Sequence, residues 1–363
     1  MSWMTSYCAE SRTSGSAFTL DRPWDQRPHR ADDQLPPACL LSYNKTTNMA
    51  PQDPGSAVGY EFPDTPVAWT TRDLLLYAVG IGARKDEYSL VYELDKGFAA
   101  FPTFPVVLGF KGTNPEVVDF NKSVTNAPKT PGLPVFPPGR IVHGSQSVEI
   151  LRPIPNASGD GWKLKKRVVG VHENKSGVIV ETELLLVDGK GTPYTRMLSA
   201  TFNVGGKITG QKFDKAIAKF IQPSKAVAKG TAPQYTFTQK ISDEQAIIYR
   251  LSGDYNPLHI DPTIGQKAGF GGIILHGLCS YGVTARGLVQ AIGGGDPNSL
   301  KAISSRFTSP VKLGDTLEVR AWELGAGPDG TTEFAFETIN LATGKPSLGG
   351  GVAYIKKASK SKL

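Results

Sequence analysis

Two copies of one pattern predict an α+β protein. Each copy is a short capped helix followed by a train of strand-like segments, with no strand–helix–strand alternation of the kind that builds a parallel sheet. The first observation is the pair of helices. Thr70-Thr71-Arg72-Asp73 offers N-caps to Leu74-Leu75-Leu76-Tyr77-Ala78-Val79, which stops at Gly80 and Gly82. Ser242-Asp243-Glu244-Gln245 does the same for Ala246-Ile247-Ile248-Tyr249, which stops at Gly253. A capped apolar run with a late tyrosine and a glycine stop, met twice, indicates an internal duplication. The second observation is the β-rich chain after each helix: Phe334, Phe336 and Thr338, for example, alternate with polar neighbours, as one buried sheet face requires. The third is length, since 363 residues suit about two domains with real cores.

In chain order, residues 1–65 mix Ser, Thr, Pro, Asp and Arg without a hydrophobic period and are read as a disordered extension. They hold no apolar h-region, so no secretory signal is expected, and Met49-Ala50-Pro51 offers an alternative start. Residues 66–205 form the first repeat. Its segment Ala99–Gly109 enters where a long central helix would lie, but Pro102 and Pro105 allow little regular helix there. Strands are expected at 147–151, 163–172, 178–187 and 197–204, with hairpin chemistry in Asn174-Lys175-Ser176-Gly177. A Pro-rich run spans 126–139. Residues 206–232 are a Lys-rich linker, with Ala and Ile at loose helical spacing, expected to wrap the outside. In the second repeat, 233–357, the run Gly272–Ile292 is apolar, free of Pro and long enough for a buried central helix. Strands follow at 302–307, 316–324, 333–340 and 351–356. The tail, 358–363, ends in Ser361-Lys362-Leu363, the address read by the peroxisomal import receptor.

The net charge of +7 raises the question of nucleic acid. The excess sits in the linker (Lys207, Lys212, Lys215, Lys219, Lys225, Lys229) and in the tail (Lys356, Lys357, Lys360, Lys362), with no basic stripe interleaved with aromatics, so no nucleic-acid partner is expected. No apolar run reaches the ~18 residues of a membrane span. Cys8, Cys39 and Cys279 make neither a disulfide framework nor a metal spacing, and Cys279, on an apolar helix, reads as buried and inert.

The second helix leads into Ser252-Gly253-Asp254-Tyr255-Asn256-Pro257-Leu258-His259. Glycine stops the helix, Asn-Pro forces a turn, and a carboxylate and an imidazole are left on a short stiff loop. Such a pair is suited to moving protons near neutral pH. The first repeat has Ala83-Arg84-Lys85-Asp86 at the matching place, so only one half carries the pair. This octapeptide resembles the signature of the R-specific enoyl-CoA hydratases (hydratase 2, MaoC-like), and Gly271-Gly272-Ile273-Ile274-Leu275-His276-Gly277-Leu278 resembles a second stretch of that family. The resemblance covers about residues 66–356 and is to the peroxisomal form with two hotdog repeats.

The resemblance implies a double hotdog, each repeat a helix packed on an antiparallel sheet, and reversible hydration of trans-2-enoyl-CoA to (3R)-3-hydroxyacyl-CoA in peroxisomal β-oxidation. It implies no metal and no cofactor, CoA being part of the substrate. Hydration needs a base for the attacking water, an acid for the α-carbon and a donor for the thioester oxygen. The resemblance gives the first two roles to Asp254 and His259, without deciding which is base. It gives the third to the N–H of Gly277 near a helix start, and the fixing of loop and water to Asn256. It places His143, Gly144, Lys175, Tyr255, Pro257, Leu258 and Phe307 in contact with substrate, leaves the first repeat a ligand-binding role, and suggests an acyl tunnel beside its shortened helix. His276 is read mainly as structural. A homodimer is left open. The alternatives are a hotdog acyl-CoA thioesterase and a non-catalytic acyl-CoA-binding protein.

Overall fold

One antiparallel sheet of eleven strands organises residues 52–125 and 128–358, the part of the chain that the computed structural model describes. The first repeat supplies α1 (Pro54–Ala57), β1 (Thr65–Pro66), α2 (Thr71–Gly80), α3 (Tyr88–Val91), α4 (Leu108–Lys111), α5 (Phe120–Thr125), β2 (Ile141–Ile150), β3 (Lys163–Asn174), β4 (Gly177–Val187) and β5 (Pro193–Val204). The connecting segment contains β6 (Phe213–Ala216). The second repeat supplies β7 (Tyr235–Lys240), α6 (Gln245–Arg250), α7 (Pro262–Lys267), α8 (Gly277–Gly293), β8 (Leu300–Phe307), β9 (Thr316–Ala326), β10 (Thr332–Asn340) and β11 (Lys345–Ile355). The strand order is β1-β3-β4-β5-β2-β8-β11-β10-β9-β7, with β6 beside β3. The two halves therefore meet edge to edge at β2 and β8, in register from Ser145 opposite Arg306 to Glu149 opposite Ala302. This is the double hotdog the resemblance implied.

Each half forms its elements for local reasons. The carboxylate of Asp73 accepts the Thr70 N–H at 2.7 Å and closes the start of α2. The central helix α8 is apolar nearly all round and is buried along its 17 residues except at its first residue, Gly277, and at Gln290 and Ala291 near its end. In the first half its place is taken by a 3-10 turn at Phe104–Val107 and the single turn of α4, as Pro102 and Pro105 dictate. The core between helices and sheet is aromatic: Trp69 meets Trp162 edge-on at 4.8 Å and Phe104 at 6.2 Å, with Tyr77, Phe101, Tyr249, Tyr281 and Phe334 fully enclosed.

Three expectations need correction. Disorder through residue 65 is not what residues 52–65 show. Val58 and Phe62 pack with Leu133, Phe136, Ile208 and Phe213 over Val168, Val171, Val178 and Val180 on the outer face of the first-half sheet. Phe62 N–H donates to the Lys166 carbonyl at 2.8 Å. That face is apolar and must be covered, which a periodicity count on the extension alone does not reveal. Residues 1–51, with Cys8, Cys39 and the Met49 start, lie outside the described residues. The linker does not follow its helical spacing either. Glu173 accepts the N–H groups of Ile208, Thr209 and Gly210 at 3.1, 2.9 and 2.9 Å, and β6 pairs with β3. Further on, Trp322 Nε1 donates to the Thr231 carbonyl at 3.0 Å as the segment crosses the second-half sheet. Finally, α8 starts at Gly277 and not at Gly272, because Gly271 and Gly272 hold φ of +68° and +128°, outside any right-handed helix.

Candidate active site

The loop after α6 is shaped by close approach of the other repeat. Gly253 has φ +129°, and a Cβ there would stand 2.8 Å from the Lys111 backbone nitrogen. The chain then turns through Asp254, whose Oδ1 accepts the Asn256 N–H at 3.3 Å. Asn256 in turn accepts the Leu258 N–H at 3.0 Å and caps the 3-10 turn Pro257–His259. His259 Nδ1 lies 2.9 Å from the carbonyl oxygen of Ile274. A carbonyl only accepts, so Nδ1 carries the proton and the neutral ring keeps its lone pair on Nε2. By the same logic His276 Nε2 donates to the Asp254 carbonyl at 3.1 Å. The rings of His259 and His276 stack with centroids 3.8 Å apart and planes 29° apart. One polar atom each from Asp254, His259 and His276 lies within 4.8 Å of the others.

Burial sets the electrostatics of this cluster. It pushes the Asp254 carboxyl above the usual carboxylate range, opposed by nearby His259 and the Asn256 N–H. It pulls His259 below the usual imidazole value, opposed by Asp254 and the Ile274 carbonyl. The two proton affinities move towards each other, which lowers the cost of passing a proton between groups that flank one site. Two imidazoles and a carboxylate could in principle ligate a metal ion. Here the stacked rings, with planes 29° apart, cannot both aim a lone pair at one ion.

Gly277 is the first residue of α8, directly after His276. A first-turn N–H has no partner inside its helix, and the helix dipole favours negative charge there. A Cβ at Gly277 would come within 3.2 Å of the Phe307 ring, so the aromatic edge closes one side of that position. Phe307 ends β8 and faces His143 of the first repeat at 4.6 Å. His143 Nε2 is 3.0 Å from the Ser199 hydroxyl and 3.1 Å from the Ser145 carbonyl, and burial pulls its pKa down to about 4, so it is neutral. Gly144 sits at the bulge between His143 and Ser145. His276 joins the loop of Asp254, Asn256 and His259 to Gly277, which leads on through Phe307 to His143 across the seam.

The remaining candidates are placed less centrally. Tyr255 lies under the Arg250 guanidinium at 5.2 Å, and Pro257 and Leu258 are half-buried in the 3-10 turn. Lys175 is exposed in the β3–β4 turn, where its carbonyl accepts from Lys207 Nζ at 3.2 Å. Register through Val178, Asn203 and Ile141 puts that turn at the His143 end of the sheet, two strands over. Ser361, Lys362 and Leu363 lie outside the described residues. Sequence reasoning read His276 mainly as structural, with a supporting role left open, and the structure brings it into the cluster with Asp254 and His259. Lys111 carried none, because its contact with Gly253 joins different repeats.

Residues 68–205 match the model of the MFE-2 hydratase 2 N-terminal domain and residues 224–345 that of the MaoC-like domain. A Dictyostelium discoideum protein named "Probable enoyl-CoA hydratase 2" is 32% identical over 297 residues, covering 81% of this chain and 93% of its own. Peroxisomal multifunctional enzyme type 2 of Mus musculus is 32% identical over 297 residues, covering 78% of this chain but only 37% of the enzyme. This chain therefore spans well under half of that relative. Among solved structures, a MaoC-like dehydratase from Phytophthora capsici shares 36% identity with a TM-score of 0.71, covering 83% of this chain and 97% of that one.

Proposed function

The chain belongs to the MaoC-like hydratase 2 family, and from that membership we propose a hydro-lyase that interconverts trans-2-enoyl-CoA and (3R)-3-hydroxyacyl-CoA. The observation that carries the reading is the convergence of Asp254 and His259 beside the first N–H of α8. In the hydration direction, water is held between the Asp254 carboxylate and His259 Nε2. As its oxygen bonds to C3, the C2=C3 pair shifts onto C2 and the thioester oxygen, where the Gly277 N–H meets the developing charge. The pair holds the proton lost by water and returns it to C2, so every atom of the water ends in the product. We assign the base to His259, because its Nδ1–H is committed to Ile274 and its lone pair is on the free Nε2. Asp254 orients the water and passes the proton on. Asn256 fixes the turn that sets their spacing.

His143, Phe307 and, at the rim, Lys175 are assigned to the CoA portion. The acyl chain is assigned to the first half, where Pro102 and Pro105 leave only a 3-10 turn at Phe104–Val107 in place of a central helix, and the preference for medium or long chains rests on that shortening alone. The reaction as written uses neither metal nor cofactor. Location in the peroxisome, through recognition of Ser361-Lys362-Leu363 by the import receptor, is supported by the tail sequence and by the location in the name of the mouse relative.

The test is incubation of the purified chain with crotonyl-CoA and decenoyl-CoA, following loss of enoyl absorbance with chiral analysis of the product. Formation of the 3S alcohol would overturn the stereochemical assignment. Release of free thiol without loss of enoyl absorbance would point to a thioesterase instead. A fluorescent fusion that reaches peroxisomes equally well without residues 361–363 would remove the targeting role.

A further inference from the structure

We propose that His276 is a positioning residue of the reaction, tying the Asp254 backbone to the His259 ring so that the proton-moving pair keeps one geometry. The proposal rests on the hydratase reading above and extends it to a side chain that touches neither water nor substrate in that scheme.

Five observations carry it. His276 is 1% exposed, so its contacts are fixed by protein alone. Its Nε2–H donates to the Asp254 carbonyl at 3.1 Å, which sets the start of the turn that presents the Asp254 carboxylate. One face of its ring stacks on His259 at 3.8 Å while it also meets Tyr249 at 5.0 Å, so it cannot rotate without disturbing the pair. It directly precedes Gly277, so the backbone that aims the imidazole also aims the first N–H of α8. Its Nδ1 is buried and has no hydrogen-bond partner. An orphaned buried acceptor is costly, and a group needed only to fill space would be better served by an apolar ring. What a histidine adds over phenylalanine at this place is the N–H to Asp254.

The surroundings keep His276 neutral. The charged and titratable groups facing it are Asp254 and His259 on the loop and Tyr249 and Arg250 on α6. Burial holds its pKa well below the ordinary imidazole value, aided by His259, opposed by the bond to Asp254, and lowered further by Arg250. When His259 takes up the water's proton, the resulting cation therefore lies on a neutral ring face and not against a second cation.

Two variants separate the donor from the ring. His276→Phe keeps a flat ring against His259 and loses the N–H; His276→Gln keeps a donor and loses the ring. The full-length wild type and both variants are assayed with crotonyl-CoA, melted, and titrated by NMR after ¹⁵N-histidine labelling. His276→Phe is expected to lower kcat by about 10²-fold, as loss of near-attack geometry does, with KM changed less than about threefold. The His259 pKa stays near wild type in this variant. His276→Gln lets water reach His259, so its pKa and the acidic limb of the kcat profile both move up. If both variants keep kcat within about threefold of wild type and only melt lower, His276 merely packs, and the proposal falls. Should the wild type itself fail to hydrate crotonyl-CoA, the hydratase reading fails separately. The NMR titration still judges the positioning, which is refuted if the His259 resonances are the same in all three proteins.

Discussion

Replacing Gly253 by alanine tests how far the reaction depends on the half of the chain that carries no acid or base. The residue has φ +129°, which L side chains rarely adopt, and such strain costs about 1–3 kcal/mol. The new Cβ would also stand 2.8 Å from the Lys111 nitrogen and 3.1 Å from its Cα, both backbone atoms, so no side chain can swing aside. Overpacking against a fixed wall costs about 1–3 kcal/mol more, giving about 2–6 kcal/mol in all. For a chain of this size, at about 2.1 cal/mol/K of unfolding entropy per residue, that lowers Tm by about 3–9 °C. The readiest relief is for the loop to back away by about 1 Å, which moves Asp254, the next residue, off its water and lowers kcat by about 10²-fold. Gly344→Ala is the control: φ is +66° but nothing lies within 4 Å, and it sits in the β10–β11 turn, so it should lose some stability and no activity. Thermal melting and the crotonyl-CoA assay on both variants decide the matter. If Gly253→Ala melts with the wild type and turns over at the same rate, the close-approach argument is wrong.

Three further outcomes follow from side chains already described. Asp254→Asn preserves the acceptor for Asn256 but cannot carry a proton, so kcat should fall by about 10²–10⁴-fold. Because burial raises the folded pKa of Asp254, the stability linked to it is present only below the unfolded value of 3.8 and is lost as pH rises through the folded one. The neutral amide should therefore melt at or above the wild-type temperature at pH 7, and a clear fall in Tm would contradict this. Arg286, buried in α8, binds Glu87, Gln239 (2.6 Å) and the Ile81 carbonyl (3.2 Å). Arg286→Met strands those partners and should cost about 3–5 kcal/mol, with Glu87→Gln recovering part of it in the double variant. Denaturant titration reads both, and a double variant no better than the single would reject the pairing. His143 has its folded pKa depressed to about 4 from 6.5, so it removes stability as pH falls through that window, by up to about 1.4 kcal/mol one unit below 6.5. His143→Gln should flatten the melting profile between pH 6.5 and 5.5, and an unchanged slope would show that the imidazole is solvated.

Local chemistry was legible in the sequence wherever one segment decides its own conformation. Although α6 starts after Glu244 with no side-chain cap from Ser242 or Asp243, the Thr70–Asp73 start of α2, the Asn174–Gly177 hairpin and the absence of a long helix around Pro102 and Pro105 needed nothing beyond neighbouring residues. So did the loop that carries Asp254 and His259, since Asn256 and Pro257 shape it from within. What escaped depends on distant partners. No strand was expected at Tyr235–Lys240, where β7 depends on the distant β9 for its ladder. The small outer core under Phe62 and Val58 draws on four separate segments. Burial of Arg286 in α8 could have been suspected from one arginine in an apolar helix, but its partner Glu87 could not. The role argued for His276 needs a stacking distance, and no spacing rule yields one.

The continuous ladder from β2 into β8 fuses two modules that could otherwise associate as separate molecules. With the Lys111 backbone against Gly253 from across that join, the proposed centre draws on both repeats within a single polypeptide, so its assembly would carry no dilution penalty. On that proposal, tethering also frees one module from chemical duty. It can reshape its interior around Pro102 and Pro105 to suit a cargo, while its twin keeps the machinery unchanged.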